Sequence, residues 1–221
     1  ALIVKVLGGA RRWTYRNLTL PDRRVLWLPF AVKLGWQLIK SEGIDVIFAT
    51  CPPHSATLVG AFLKLITRKP LILDFRDDWV DTPWHQSMPP IIQEIQRKLE
   101  RWVVKTADKV ILVTEQSKNA FLKRYPDQPS DKFTLIPNGC DLAEFTVESA
   151  RLTTAQNPKF TIMHSGSLND SENWTRSPEG LFKAIQKILW LQPDIAENIT
   201  MTFTGSLPEG HKQLAKRLGI L

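Results

Sequence analysis

The chain has 221 residues, 43% of them hydrophobic and 23% charged, the composition of a globular protein with ample material for a core. No run approaches ~18 uninterrupted apolar residues, so no membrane-spanning helix is expected. Cys51 and Cys140 stand far apart and form no CxxC, which argues against a disulfide framework or structural zinc site and fits a reducing compartment. The net charge of +7 has a local source near the start, where Arg11, Arg12, Arg16, Arg23 and Arg24 interleave with Trp13 and Tyr15. Such a patch reads first as a solvated basic surface, and otherwise as a site for phosphates on nucleic acid, an anionic lipid surface or a small substrate. No RNA- or DNA-binding signature accompanies it, so nucleic acid is not an expected partner. The chain has no initiator Met, as if it began partway through a longer protein.

Periodicity predicts a helix over 26–41, with Pro29 in its first turn and Gly43 ending it. Leu26, Phe30, Leu34 and Leu38 recur every four residues, and packing on a core accounts for Trp27 and Trp36 more simply than a membrane does. A β-rich run follows at Asp45–Thr50, then a helix over Ser55–Ile66 with Ser55 as its N-cap. Leu71–Asp74 is the next strand, Pro90–Thr106 a long helix, and Lys109–Val113 a third strand. Glu115–Arg124 reads as a helix closed by Tyr125-Pro126, and Phe133–Ile136 as a fourth strand. Short, almost wholly apolar strands separated by helices are the pattern of a parallel sheet buried on both faces. Gly139 is expected to supply a positive φ at the turn after the fourth strand. Residues 143–158 lose periodicity, as a linker does, and the alternation then restarts. Phe160–His164 is a strand, Pro178–Leu191 a helix, Thr200–Thr204 a strand and Glu209–Leu218 a helix. Two strands fall short of an open sheet, so this second unit is expected to be cut short.

Parallel sheets bind ligands beyond the carboxyl ends of their strands. After the first strand, the prolines of Thr50–Ser55 and the following helix N-terminus suit an anion, with His54 structural or solvated. After the second come Asp74, Arg76, Asp77, Asp78 and Asp81, costly to bury unless paired or used. Three readings stand: a site for a hard divalent cation, a lip that binds sugar hydroxyls, or an Arg–Asp network that organises the loop. In the second unit, Ser165, Gly166 and Ser167 follow one strand and Gly205 the other. Small residues there let a backbone approach a ligand, and Arg176 adds a cation for phosphate.

Six segments in order then carry a resemblance: DVIFATCPPHS, PLILDFRDDW, ERWVVKTADKVILVTEQS, YP…KFTLIPNGCDLAEF, FTIMHSGSL…RSPEGLFKAI and ITMTFTG. The chain resembles retaining glycosyltransferases of family 4, particularly bacterial members of polysaccharide and cell-envelope pathways. The resemblance implies an α/β fold of two Rossmann-like domains with parallel sheets (GT-B), facing each other across a cleft and both incomplete in this chain. An acceptor-side domain would span 1–142, a linker 143–158, and the start of a nucleotide-sugar domain 159–221.

The resemblance implies further that Ser165, Gly166, Ser167, Arg176 and Gly205 meet the donor diphosphate. Arg76 and Asp77 stand where many relatives carry a histidine-containing loop, so that histidine's role does not transfer and the two would orient sugar hydroxyls. No metal and no cofactor beyond the nucleotide-diphosphate sugar is implied; the acceptor would be a glycan or lipid-linked hydroxyl, in the cytoplasm at the inner face of the membrane. The family's paired-glutamate motif would lie beyond Leu221, so residues 1–221 alone are not expected to turn over. Alternatives are a sugar-nucleotide epimerase of the same architecture and a non-catalytic sugar-nucleotide-binding protein.

Overall fold

The computed structural model describes residues 19–144, 159–168, 170–171, 174–175, 177–196 and 198–221. Arg11, Arg12, Arg16, Arg176 and all but the first two residues of the expected linker lie outside the described residues. The chain divides into two compact units, Ala1–Gly139 and Cys140–Leu221.

In the first unit, α1 (Leu28–Ser41) precedes β1 (Ile47–Cys51), α2 (Ser55–Thr67) and β2 (Leu71–Phe75). The short α3 (Pro83–Gln86) and the long α4 (Pro90–Thr106) lead to β3 (Lys109–Leu112), α5 (Glu115–Arg124) and β4 (Phe133–Leu135). The four strands form one parallel sheet in chain order, with Ile47 beside Leu71, Ile72 beside Lys109 and Val110 beside Phe133. β1 starts two residues later than its apolar pattern suggests, because pairing begins only where the Ile47 N–H donates to the Pro70 carbonyl at 2.8 Å. Leu71, Leu73 and Phe75 of β2 and Val110 and Leu112 of β3 are enclosed. Phe75, Phe121, Tyr125 and Phe133 pack as an aromatic cluster beside them. Burial on both faces fails at β1, where Phe48 is 57% exposed between buried Ile47 and Ala49.

Helix α2 lies against β1 and β2 only because Gly60 faces the sheet. A Cβ there would stand 2.9 Å from a Leu71 methyl and 3.0 Å from the Ala49 Cβ. In turn α1 settles on α2 at Gly35, where a Cβ would meet Leu63 at 2.7 Å. Leu28, Val32, Gly35 and Ile39 therefore make the packing face of α1. The other stripe faces away from the core: Leu26 is 74% exposed and Phe30 75%, with Leu34 and Leu38 also exposed. The helix carries two apolar stripes, and the close approach at Gly35 decides between them.

The first turn of α2 is held from outside. Ser55 does not cap it; its N–H and hydroxyl both donate to the Asp22 carboxylate, at 2.7 and 3.0 Å. His54, just before, stacks on the buried Trp79 ring with centroids 4.9 Å apart and planes within 5°. Trp79 donates its indole N–H to Gln96 of α4, whose amide reaches the Pro21 carbonyl at 3.3 Å. Further along α4, the enclosed Glu100 accepts from Arg124 at 2.6 Å, from the Tyr125 hydroxyl and from the Val80 N–H. Gly139, at the end of this unit, is not in the left-handed region, and a Cβ there would touch nothing, so the turn does not demand glycine.

The second unit pairs β5 (Phe160–Ser165) with a later strand and carries a two-residue ribbon, β6 (Asp170–Ser171) with β7 (Trp174–Thr175). After α6 (Glu179–Leu191) and α7 (Pro193–Ala196), β8 (Ile199–Thr204) lies parallel to β5, and α8 (Glu209–Arg217) follows. Phe182 of α6 meets Phe203 of β8 edge-on at 5.9 Å, seating the helix on the strands.

Two outcomes follow. Gly60→Val should cost about 1–3 kcal/mol of stability through overpacking, read as a lower urea midpoint; an unchanged midpoint would mean that α2 shifts freely on the sheet. His54 is neutral in the fold because burial pushes its pKa from 6.5 down to about 4, against the opposing charges of Asp22 and Asp77. Between those values the folded state binds fewer protons than the unfolded one, so stability is full above pH 6.5 and falls as pH drops toward 4. His54→Gln should flatten that loss by at most about 3 kcal/mol, measured by urea unfolding at pH 4 to 7; parallel pH curves for the two proteins would refute it.

Candidate functional site

The carboxyl ends of β5 and β8 lie side by side, and each strand runs straight into a glycine at positive φ, Gly166 at +128° and Gly205 at +136°. The Gly166 N–H donates to the Thr204 carbonyl at 3.0 Å, and the Leu168 N–H to the Ser206 carbonyl at 2.9 Å. The two loops are thus laid one on the other. A Cβ on Gly205 would overlap the Gly166 carbonyl, so only glycine permits this approach. Leu168 is buried and anchors the first loop, while Ser165, Gly166, Ser167, Gly205 and Ser206 are exposed. The N–H groups of Ser167 and Gly205 donate to no described residue. Hydroxyls and unspent N–H groups on a backbone without bulky side chains suit phosphate oxygens. Four of the expected diphosphate residues are therefore brought together here, and the fifth, Arg176, lies outside the described residues.

At the end of β2 the carboxylates do not converge. Asp74 accepts from the Thr50 hydroxyl at 2.8 Å and Asp78 from the Ser117 hydroxyl at 2.9 Å. Asp81 pairs with Arg124 at 3.1 Å and Arg97 at 3.5 Å. Arg76 and Asp77 are exposed; the Arg76 N–H donates to the Cys51 carbonyl at 3.0 Å, and neither side chain makes a hydrogen bond or ion pair among the described residues. The carboxylates that one of the three sequence readings grouped around a cation are dispersed, because Asp74 is turned to β1 and Asp78 and Asp81 to α5. Among the described residues no group of three or more His, Cys, Asp and Glu side chains is placed to hold a metal ion. The anion expected at the start of α2 is also accounted for internally, since Asp22 occupies that position.

Sequence reasoning missed a cavity of about 520 Å³ in the first unit, lined by Pro21, Asp22, Arg23, Arg24, His54 and Trp84 among others. Its walls come from segments some thirty residues apart, which no spacing rule connects. The nearest signals in the sequence were the rigid Pro52-Pro53 turn and the Arg23-Arg24 pair.

A family model described as Glycosyltransferase Family 4 matches residues 8–144, more than half of the chain. No curated protein sequence matches the chain. Among solved structures, Anabaena HepE in complex with UDP superposes with a TM-score of 0.58 at 21% identity, over 86% of this chain and 49% of that one. A trehalose-6-phosphate protein from E. coli bound with UDP-2-fluoro glucose gives 0.55 at 14% identity, over 87% and 46%. A UDP-forming alpha,alpha-trehalose-phosphate synthase from Burkholderia vietnamiensis gives 0.55 at 11% identity, over 94% and 48%. The chain spans about half the length of these structures, and at such identities the likeness is one of fold: α/β with parallel sheets, of the GT-B type. With the family model covering the whole parallel sheet of the first unit, the chain belongs to glycosyltransferase family 4.

Proposed function

We propose that the protein transfers a sugar from a nucleotide-diphosphate sugar to an acceptor hydroxyl, with retention at the anomeric carbon. The observation that carries this reading is the pair of glycine loops at the ends of β5 and β8, in a chain of this family. UDP is the favoured nucleotide, since similar folds are recorded with UDP and with UDP-2-fluoro glucose. The diphosphate rests on the Ser167 and Gly205 N–H groups and the Ser165 and Ser167 hydroxyls, with Arg176 adding a full charge. As the bond from the anomeric carbon to the diphosphate breaks, negative charge grows on the departing oxygen. Fixed N–H dipoles stabilise that charge more in the transition state than in the bound donor, which is the form of binding that accelerates a reaction.

The acceptor oxygen bonds to the anomeric carbon on the face the diphosphate leaves, and its proton passes to the departing diphosphate oxygen. No protein base or metal is then required. Arg76 and Asp77, whose exposed side chains make no hydrogen bond or ion pair among the described residues, orient sugar hydroxyls. The product belongs to polysaccharide or cell-envelope glycan, made on a glycan or lipid-linked acceptor by a cytoplasmic protein in peripheral contact with the membrane. No helix among the described residues is long and apolar enough to cross one.

The expected outcome of a thermal-shift panel is a rise in Tm with UDP-sugars ahead of GDP- and ADP-sugars, because a ligand that binds the native state stabilises it. Arg176→Ala should weaken the favoured donor by about 10- to 100-fold, the worth of one charge-assisted hydrogen bond. NMR of the transfer product should show the anomeric configuration of the donor. Inversion, or interconversion of the free UDP-sugar without acceptor, would overturn the proposal.

A further inference from the structure

The cavity of the first unit has a chemistry of its own. Arg23 and Arg24 stand exposed at its wall and form no ion pair among the described residues. The acid beside them is already committed: Asp22 accepts from the Arg24 N–H at 2.8 Å, the Ser55 hydroxyl at 3.0 Å and the Ser55 N–H at 2.7 Å. His54, also in the wall, is uncharged at neutral pH, since burial holds its pKa near 4. Asp77, outside the lining, bears electrostatically on His54. Two guanidiniums thus line the space against one carboxylate, Asp22, which is spent on Ser55 and makes no ion pair with them among the described residues, and an anion is what the remaining positive charge fits.

The same cavity is also lined by an aromatic residue, Trp84. Trp84 presents a part-exposed indole on α3, and that helix is pinned at both ends. The Thr82 hydroxyl accepts from the His85 N–H at 3.1 Å, and the Ser87 hydroxyl donates to the Trp84 carbonyl at 2.7 Å. The enclosed His85 ring bridges the Asp81 N–H and the Gln93 carbonyl. A rigidly mounted aromatic face is a platform for the C–H side of a sugar ring. At about 520 Å³ the cavity has the size of a small-molecule site, and a bare phosphate would leave most of it empty.

We propose that this cavity binds a phosphorylated sugar, with the phosphate ester on Arg23 and Arg24 and the ring on Trp84. That the bound molecule is the acceptor of the transfer rests on the reading above; the binding itself does not.

Calorimetric titration of the 221-residue chain tests it with glucose 1-phosphate, N-acetylglucosamine 1-phosphate, glucose, inorganic phosphate and phosphatidylglycerol vesicles. At least one sugar phosphate should bind tenfold or more tightly than glucose or phosphate alone. The double variant Arg23→Ala with Arg24→Ala should lose at least tenfold of that affinity. Trp84→Ala should weaken the sugar phosphate and leave phosphate unchanged. Circular dichroism and urea midpoints equal to wild type will show that the variants are folded. Phosphate binding as tight as the sugar phosphate would reduce the cavity to an anion site and overturn the proposal, as would no binding of either sugar phosphate. Vesicle binding that depends on the two arginines, without sugar-phosphate binding, would reassign them to a lipid surface and also overturn it. UDP titrated into the same samples reads the donor loops separately: sugar-phosphate binding kept while UDP fails supports the cavity and counts against the transfer reading.

Discussion

The carboxylate of Glu100 is the fixed point of the first unit. It is fully enclosed, and an enclosed carboxylate is tolerable only if its lone pairs are met. Arg124, the Tyr125 hydroxyl and the Val80 N–H meet them, from the last residue of α5, the residue after it and the loop after β2. Burial pushes the Glu100 carboxyl above its ordinary pKa, while Arg124, Tyr125 and Val80 pull it back. Arg124 reaches on to Asp81, so the same guanidinium fixes the turn that precedes α3. Three elements are therefore held to one charge, and none can move without stranding it.

From that point order spreads along α4. Gln96, one turn before Glu100 on the buried stripe, takes the Trp79 indole and holds the Pro21 carbonyl. Trp79 stacks on His54, and beside His54 the first turn of α2 takes the Asp22 carboxylate. The cavity walls are the outer ends of these contacts. Asp22, spent on the helix cap, makes no ion pair with Arg23 or Arg24 among the described residues, and with two guanidiniums to one carboxylate the lining keeps a net positive charge. A structural requirement in the backbone thus sets the electrostatic character of the pocket.

The strand-and-helix rhythm was legible because short apolar runs bounded by helices suit little besides a parallel sheet. β2, α4 and α5 stand within a residue or two of where periodicity put them. Pairwise partners were not legible. Ser55 looks like a cap in a local window, yet the anion it serves lies 33 residues earlier. The carboxylates at the end of β2 look like a cluster when counted along the chain, but Asp74, within the strand, turns to Thr50 and Asp78, in the loop beyond it, to Ser117. On α1 two apolar stripes compete, and only the contact of Gly35 with Leu63 on another helix selects one. The glycines at 166 and 205 were visible as loop residues after strands. That one glycine rests on the other required the pairing of β5 with β8.

In the roles proposed for them, the two units would recognise anions in different ways. At Gly166 and Gly205 the groups are backbone N–H dipoles, locked by two loop-to-loop hydrogen bonds and by a contact that admits no side chain. Such dipoles act over a short range and cannot reorganise, so their effect is greatest where charge changes during the reaction. At Arg23 and Arg24 the groups are full charges on long, exposed side chains. These act over a longer range, and the charge of the proposed ligand would be the same before and after transfer, which would aid binding and orientation rather than the barrier. Exchanging the two designs would weaken both: mobile arginines at the bond that breaks would cost ordering energy at each turnover, and neutral dipoles at the cavity would attract its anion only on contact.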